Sequence, residues 1–138
     1  MSDLRMTPGD APLPGTVEIG HHAPGLAVVS MRGEHDISTA PELAHGLEQA
    51  AAHSDVVIDL SECDFMDSTA IGLLIRTAKE VQARGEQLVV VIPSESSNVA
   101  RVAHMIRLAE LMPVKTSREE ALASLERAHP PASPDPAT

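Results

Sequence analysis

The sequence has almost no aromatic side chains: tryptophan and tyrosine are absent, and Phe65 is the single phenylalanine. Basic residues are also few, since 10 Lys and Arg stand against 20 Asp and Glu and leave a formal net charge of −10. Proteins that bind nucleic acid usually present clustered cations and aromatic rings on which bases stack. We therefore expect no direct nucleic-acid partner.

Cysteine and long apolar runs are equally scarce. The one cysteine, Cys63, has no partner for an internal disulfide, and the seven histidines show none of the spacings typical of zinc sites. We therefore expect no metal and no cofactor. No apolar run approaches the length of a membrane-spanning helix, and the first 15 residues lack the apolar core of a signal peptide. These absences predict a cytoplasmic protein without a membrane partner.

Both ends of the chain are rich in proline and poor in large apolar residues. Such segments bury too little apolar surface to offset the entropy lost on ordering. We predict a disordered N-terminal tail over residues 1–15, one folded domain over 16–128 and a disordered, proline-rich C-terminal tail over 129–138.

The central part alternates short β-branched runs with stretches of helical periodicity, in the order β-β-α-β-α-β-α-β-α. Val56–Ile58 is typical of a buried strand, and Thr39 with Glu42 and Ser117 with Glu120 have the spacing of capping boxes. This alternation predicts an α/β fold with a small, mostly parallel sheet of about five strands and an antiparallel first hairpin.

The stretch from Asp55 to Ala83 reads as strand, loop and helix, with Asp67-Ser68-Thr69 where the helix begins. The start of a helix has unpaired amides and the positive end of the helix dipole, so a phosphate can be held there. Taken alone, however, this pattern is more often a plain helix cap.

The segment Phe65-Met66-Asp67-Ser68-Thr69-Ala70-Ile71-Gly72-Leu73 resembles the signature of STAS-domain proteins, in particular the bacterial anti-sigma factor antagonists. Gly33–Asp36 resembles the Gly-Glu-x-Asp segment of that family, and residues 39–43 and 85–90 resemble its first helix start and its next glycine turn and strand. The match covers about Thr16 to Arg127. It implies four helices packed mainly on one side of the sheet.

The resemblance implies a regulatory protein rather than an enzyme. Such a protein, while unphosphorylated, binds an anti-sigma factor of the serine-kinase type and so frees a sigma factor for transcription. The kinase uses its own ATP to phosphorylate Ser68, and a serine phosphatase resets the protein. The implied partner-binding residues are Glu34, Asp36, Asp67, Ser68 and Thr69. The sequence departs from the family pattern at His35, a position that is commonly apolar, and at Ala70, where glycine is frequent.

Two alternatives remain open at this stage. One is a STAS module that binds without being phosphorylated, as a scaffold or as the small subunit of a lipid-transport system. The other is a small hydrolase in which Ser68 is the nucleophile and His35 its base. The local sequence is not the Gly-x-Ser-x-Gly elbow of hydrolases, which argues against the second.

Two local expectations concern the approach to Ser68. Alternation along a strand predicts that Cys63 and Phe65 are buried and that Asp64 faces solvent. Ser68 should stand at the entrance of the helix. Thr69 should begin the first turn, where capping bonds can hold its hydroxyl.

Overall fold

A computed structural model describes residues 15–52, 55–93 and 97–128. Nearly all of the predicted N-terminal tail and the whole predicted C-terminal tail lie outside the described residues. The strands are β1 (Thr16–Ala23), β2 (Leu26–His35), β3 (Asp55–Met66), β4 (Leu88–Val91) and β5 (Val114–Lys115). The helices are α1 (Ala40–Ala51), α2 (Ser68–Ala83), α3 (Asn98–Met105) and α4 (Arg118–Ala128), with a 3-10 turn at Leu108–Glu110. None of the helices in these ranges is long and apolar enough to cross a membrane.

The five strands form one sheet in the order β1-β2-β3-β4-β5. β1 is antiparallel to β2, whereas the pairs β2–β3, β3–β4 and β4–β5 are parallel. The predicted α/β class and element order are therefore confirmed. Because β2 and β3 are parallel neighbours, the loops that follow them lie at the same edge of the sheet.

The core consists of two layers of apolar side chains on the two faces of the sheet. The larger layer joins the sheet to α1, α2 and α3 through buried residues such as Leu43, Leu74 and Val99. On the opposite face α4 packs alone, with Ala121 and Leu125 against the valines of β2, β3 and β4. Three of the four helices thus share one side, as predicted. Each fully buried leucine or valine contributes roughly 1.5–3 kcal/mol.

Of the two predicted capping boxes, the one at Thr39 is wrong and the one at Ser117 forms only its hydroxyl half, since the Glu120 carboxylate accepts from the Thr116 hydroxyl at 3.3 Å. The Ser117 hydroxyl accepts a hydrogen bond from the Glu120 amide at 3.0 Å, so α4 begins with the expected cap. Thr39 also immediately precedes its helix, but its side chain makes no capping bond. The Thr39 hydroxyl lies instead 3.1 Å from the His35 ring, and α1 starts without the predicted Thr39–Glu42 box.

β3 is longer than the sequence predicts, and its pairing with β2 contains two irregularities. β2 ends at His35, and β3 continues to Met66 through what was expected to be a loop. The register shifts between Ser30 and Arg32 and again between Gly33 and Glu34. Gly33 has a φ of 77°, a conformation that favours glycine at a bulge.

The bulges change which β3 side chains face the core. Cys63 is buried and Asp64 exposed, as predicted. The expectation for Phe65 is wrong, because its side chain is 41% exposed while the next residue, Met66, is buried. Strict alternation fails here because a bulge adds a residue to one strand and shifts the faces of those beyond it.

Candidate functional site

The candidate site lies where β2 and β3 end side by side. His35 and Met66, the last residues of these strands, pair with each other. Beyond them, the Asp67 amide donates a hydrogen bond to the His35 carbonyl at 3.0 Å. Asp36 and Ser68 therefore each lie one residue beyond a directly bonded pair. We call residues 34–39 and 67–69 the serine site.

Asp67 starts helix α2. Its backbone is extended, with φ −90° and ψ −178°, and its carboxylate accepts a hydrogen bond from the Ala70 amide at 3.0 Å. Ser68 and Thr69 are the first two helical residues, and both are exposed. The expectation that capping bonds hold Thr69 is wrong, because the carboxylate of Asp67 supplies the cap. Within the described ranges, neither hydroxyl has a hydrogen-bond partner.

Asp36 organises the turn between β2 and α1. Its carboxylate accepts hydrogen bonds from the Ser38 hydroxyl and from the Ser38 amide, the latter at 2.9 Å, and its carbonyl accepts from the Thr39 amide at 3.1 Å. The hydrogen bonds from the Ser38 side chain and amide hold the pKa of Asp36 below its ordinary value. Asp36 is therefore ionised at neutral pH and places a fixed negative charge in the serine site.

Glu34 is the one predicted site residue that lies within a strand. It belongs to strand β2, is half-buried and stands opposite Phe65 in the strand register. Asp36, Asp67, Ser68 and Thr69 are brought together by the two loops, whereas Glu34 lies two residues upstream of the turn. Glu34 therefore lies at the edge of the serine site.

His35 is not arranged as a base for Ser68. The ring is fully buried, with Nε2 3.2 Å from the Thr16 carbonyl oxygen and Nδ1 3.1 Å from the Thr39 hydroxyl. Both nitrogens therefore have partners other than Ser68. A hydrolase would need one of them directed at the serine hydroxyl, so the geometry does not support that alternative.

Three apolar side chains in or near the serine site are exposed; the sequence predicted that Phe65 is buried and did not single out Ile37 or Ile106. Ile37, 73% exposed, lies in the Asp36 turn itself, and Phe65 precedes Asp67 by two residues. Ile106, 39% exposed at the end of α3, borders a small apolar cleft together with Ile71 of α2. These side chains are exposed in the free protein and are therefore available to be buried against a partner. The exposure of Ile37 could have been predicted from the sequence, because it lies between two polar residues of a turn. The exposure of Phe65 could not, because it depends on the bulges.

The chemistry available at this site is anionic and lacks the groupings of a metal centre. Among the described residues, no group of three or more His, Cys, Asp and Glu side chains could hold a metal ion. The amides of Ser68 and Thr69 belong to the first turn of α2, where amides have no partner within the helix. The site therefore combines an exposed hydroxyl, two neighbouring carboxylates and amides able to stabilise a phosphate.

Comparison with known proteins points to one family. The family model described as STAS domain matches residues 20–121, which include the whole serine site. The anti-sigma F factor antagonist of Paenibacillus polymyxa is 26% identical over 113 residues, covering 80% of this chain and 94% of that protein. The anti-sigma-B factor antagonist of Staphylococcus epidermidis is 33% identical over 94 residues, covering 66% of this chain and 84% of that protein. A crystal structure of an anti-sigma factor antagonist from Mycobacterium paratuberculosis matches with a TM-score of 0.74 at 29% identity, covering 84% of this chain and 97% of that one.

Proposed function

This chain belongs to the STAS-domain family, and from that membership and the geometry of the serine site we propose that it is an anti-sigma factor antagonist. It binds an anti-sigma factor that is also a serine kinase, and the bound anti-sigma factor releases its sigma factor for transcription. The kinase uses its own ATP to phosphorylate Ser68, which ends binding. A serine phosphatase removes the phosphate and restores the active form.

The observation that carries this proposal is the placement of Ser68. It is the exposed first residue of α2, and the Asp67–His35 hydrogen bond keeps the Asp36 turn beside it. A kinase needs a hydroxyl that it can reach and a neighbouring surface by which it recognises the substrate. The serine site offers both within two adjacent loops.

The switch follows from local electrostatics. A phosphate on Ser68 adds close to two negative charges at pH 7, next to Asp67 and near Asp36. In the free protein the start of α2 stabilises that charge. In a closely packed interface the same group must lose its water, which opposes binding unless the partner supplies a cation. A penalty of about 3 kcal/mol weakens affinity about a hundredfold.

The exposed apolar residues supply the attraction that the phosphate would oppose. Ile37 lies in the Asp36 turn, Phe65 precedes Asp67 by two residues, and both side chains are exposed in the free protein. Removing such side chains from water drives association, and a closely packed contact around Ser68 would also exclude the water that a phosphate requires. In this proposal the same surface favours binding of the unmodified form and opposes binding of the phosphorylated form.

The experiment is a pull-down from the native cell with the full chain as bait, followed by incubation of the recovered complex with ATP and mass spectrometry. The expected result is a serine-kinase partner and phosphate on Ser68. Ser68→Ala should bind the partner and resist phosphorylation. Thr69→Ala, which removes the neighbouring hydroxyl, is the matched control and should be phosphorylated like the wild type. Partner binding without modification of Ser68 would favour the non-phosphorylated STAS module instead.

A further inference from the structure

His35 lies at the centre of the serine site, yet the proposed switch does not use its side chain. The ring is fully buried and its Nε2 lies 3.2 Å from the Thr16 carbonyl oxygen. A carbonyl oxygen only accepts hydrogen bonds, so Nε2 carries the hydrogen and donates it. Nδ1 lies 3.1 Å from the Thr39 hydroxyl, which is itself 3.2 Å from the Asp36 carbonyl. The ring thus connects the start of β1 to the Asp36 turn.

The main chain of the same residue makes the third connection. The His35 carbonyl accepts the hydrogen bond of the Asp67 amide at 3.0 Å. Through its ring and its carbonyl, His35 therefore contacts three separate segments: the start of β1, the turn that carries Asp36 and the residue that caps α2. Movement of this one residue would change the position of Asp36 relative to Ser68.

Gly15 shows how closely the ring is packed. A Cβ atom at this position would lie 2.8 Å from both Cε1 and Nδ1 of His35 and 2.4 Å from the Glu34 carbonyl oxygen. Non-bonded carbon atoms in proteins are normally 3.5–4.0 Å apart. Even one methyl group at Gly15 would therefore force the ring, the end of β2 or the start of β1 to move, and each of these shifts changes the contacts of His35.

A core-filling role alone does not account for these contacts. An apolar side chain could occupy the same volume, but it would remove both ring hydrogen bonds, to the Thr16 carbonyl and to the Thr39 hydroxyl, and with them the connection between β1 and the Asp36 turn. A ring whose two nitrogens both have partners has one favoured orientation, so it fixes the segments it touches.

We propose that His35 is a positioning residue that sets the Asp36 turn relative to Ser68, so that a partner kinase can engage both at once. This inference rests on the proposed function for its consequence in phosphorylation. Loosening His35 should lower kcat for phosphorylation of Ser68 more than it raises KM, because the docking residues remain while the acceptor is misplaced. A displacement of about 1 Å at a reacting group can cost up to about a hundredfold in rate.

Two variants perturb His35 from different directions. His35→Leu removes both ring hydrogen bonds with little change in volume. Gly15→Ala leaves the ring chemically intact but presses a methyl group against it. The matched control is Gly20→Ala in β1, where an added Cβ would meet nothing within 4 Å. Because Gly15→Ala retains the histidine, the inference stays testable if His35→Leu fails to fold.

The first measurement needs no kinase: native-state hydrogen exchange of the Asp67 amide, compared with the Val90 amide, which donates to the Pro113 carbonyl at 3.0 Å in the sheet. In His35→Leu and Gly15→Ala, the hydrogen-exchange rate of the Asp67 amide should rise about tenfold, while the rate of the Val90 amide stays unchanged. In Gly20→Ala, both rates should equal those of the wild type. Unchanged Asp67 exchange, or Asp67 and Val90 accelerated equally, would overturn the inference, since the second pattern reports only general loss of stability.

The second measurement is steady-state phosphorylation by the kinase recovered in the pull-down. The expected result for His35→Leu and Gly15→Ala is a kcat about tenfold or more below the wild-type value with KM changed less than threefold. Equal kcat values in all variants would overturn the positioning role. If the wild type itself is not phosphorylated, the proposed function fails, and the exchange rates still decide whether His35 holds the two loops together.

Discussion

The Asp67 amide donates a hydrogen bond to the His35 carbonyl at 3.0 Å, and this contact joins the Asp36 turn to the start of α2. Asp36 follows His35 in the turn, and Ser68 follows Asp67 as the first residue of α2. An acidic turn and a helix start that are distant in sequence are thereby held at the same edge of the sheet. The candidate phosphoacceptor and its acidic neighbour form one surface for this reason.

Asp36 has two separable roles, as a charge and as the acceptor that closes its turn. Asp36→Asn keeps an oxygen that can accept from Ser38 but removes the charge, whereas Asp36→Ala removes both. If the partner recognises the charge of Asp36, both variants should bind the partner more weakly or be phosphorylated more slowly. Their melting temperatures should stay within a few degrees of the wild-type value. Titration calorimetry with the recovered partner checks this. Wild-type binding by both variants would remove Asp36 from the interface.

An ion pair on the opposite face of the sheet secures α4. The Arg118 guanidinium donates to the Asp59 carboxylate through two nitrogens at 2.7 and 2.8 Å and to the Ser30 hydroxyl at 3.0 Å. Asp59 is buried and also accepts from the amide and hydroxyl of Ser61. Burial by itself would raise the pKa of Asp59, but the hydrogen bonds from Ser61 and the charge of Arg118 outweigh it and lower the pKa.

We predict that Arg118→Ala lowers the free energy of unfolding by about 1–3 kcal/mol, because it leaves a buried carboxylate without its cation. Arg32→Ala is the matched control. Its ion pairs with Glu18 and Glu62 are exposed and 3.9 and 3.6 Å long, so it should cost less than about 1 kcal/mol. Urea denaturation at pH 7 measures both. Equal losses in the two variants would show that the Asp59 pair contributes no more than a surface contact.

The same ion pair predicts a pH dependence with a definite sign. A carboxyl group whose pKa is lowered by folding stabilises the protein above its unfolded pKa, and that stabilisation is lost as the pH falls through the folded value. The stability difference between the wild type and Asp59→Asn should therefore be constant from pH 7 to 5 and shrink below about pH 4. Urea denaturation at pH 7, 5, 4 and 3 tests this. A difference that is the same at pH 3 as at pH 7 would contradict it.

Cys63 should be unreactive in the folded protein. Burial, together with the neighbouring charge of Asp64, raises the pKa of its thiol to about 11, and the thiol donates a hydrogen bond to the Phe65 carbonyl at 3.5 Å. At pH 8 the folded protein then holds about a hundredfold less thiolate than the unfolded chain. Labelling with a thiol-reactive dye should be slow in buffer and rapid in urea, with Cys63→Ala as the unlabelled control. Rapid labelling in buffer would show that Cys63 is accessible.

The parts of the fold that the sequence predicted correctly depend on local signals. Gly85, with a φ of 81°, ends α2 as expected, and the β-branched run at Val56–Ile58 lies in the buried part of β3. Ser68 was placed correctly at the start of α2 because helix periodicity and small polar residues coincide there. These features need little knowledge of which segments pack against each other.

The sequence predictions failed where contacts with residues from another segment determine the position of a side chain. Thr39 has the sequence of a helix cap, but its hydroxyl turns to the His35 ring, which the sequence does not reveal. Phe65 is exposed because bulges in the β2–β3 pairing interrupt the alternation of faces. His35 itself reads as a departure from a family pattern, and its role becomes visible only when the partners from β1 and the Asp36 turn are in place. Tertiary contacts decided each of these cases.

We propose that phosphate on Ser68 prevents partner binding. Titration calorimetry of the recovered anti-sigma factor with the unmodified protein, and with the protein phosphorylated stoichiometrically on Ser68, measures the two dissociation constants that decide this. Ser68→Asp, with one carboxylate, should fall between the two forms, and Thr69→Asp should show how much of the effect depends on position. We predict that phosphorylation weakens binding by about a hundredfold or more. Equal dissociation constants for the two forms would contradict the switch.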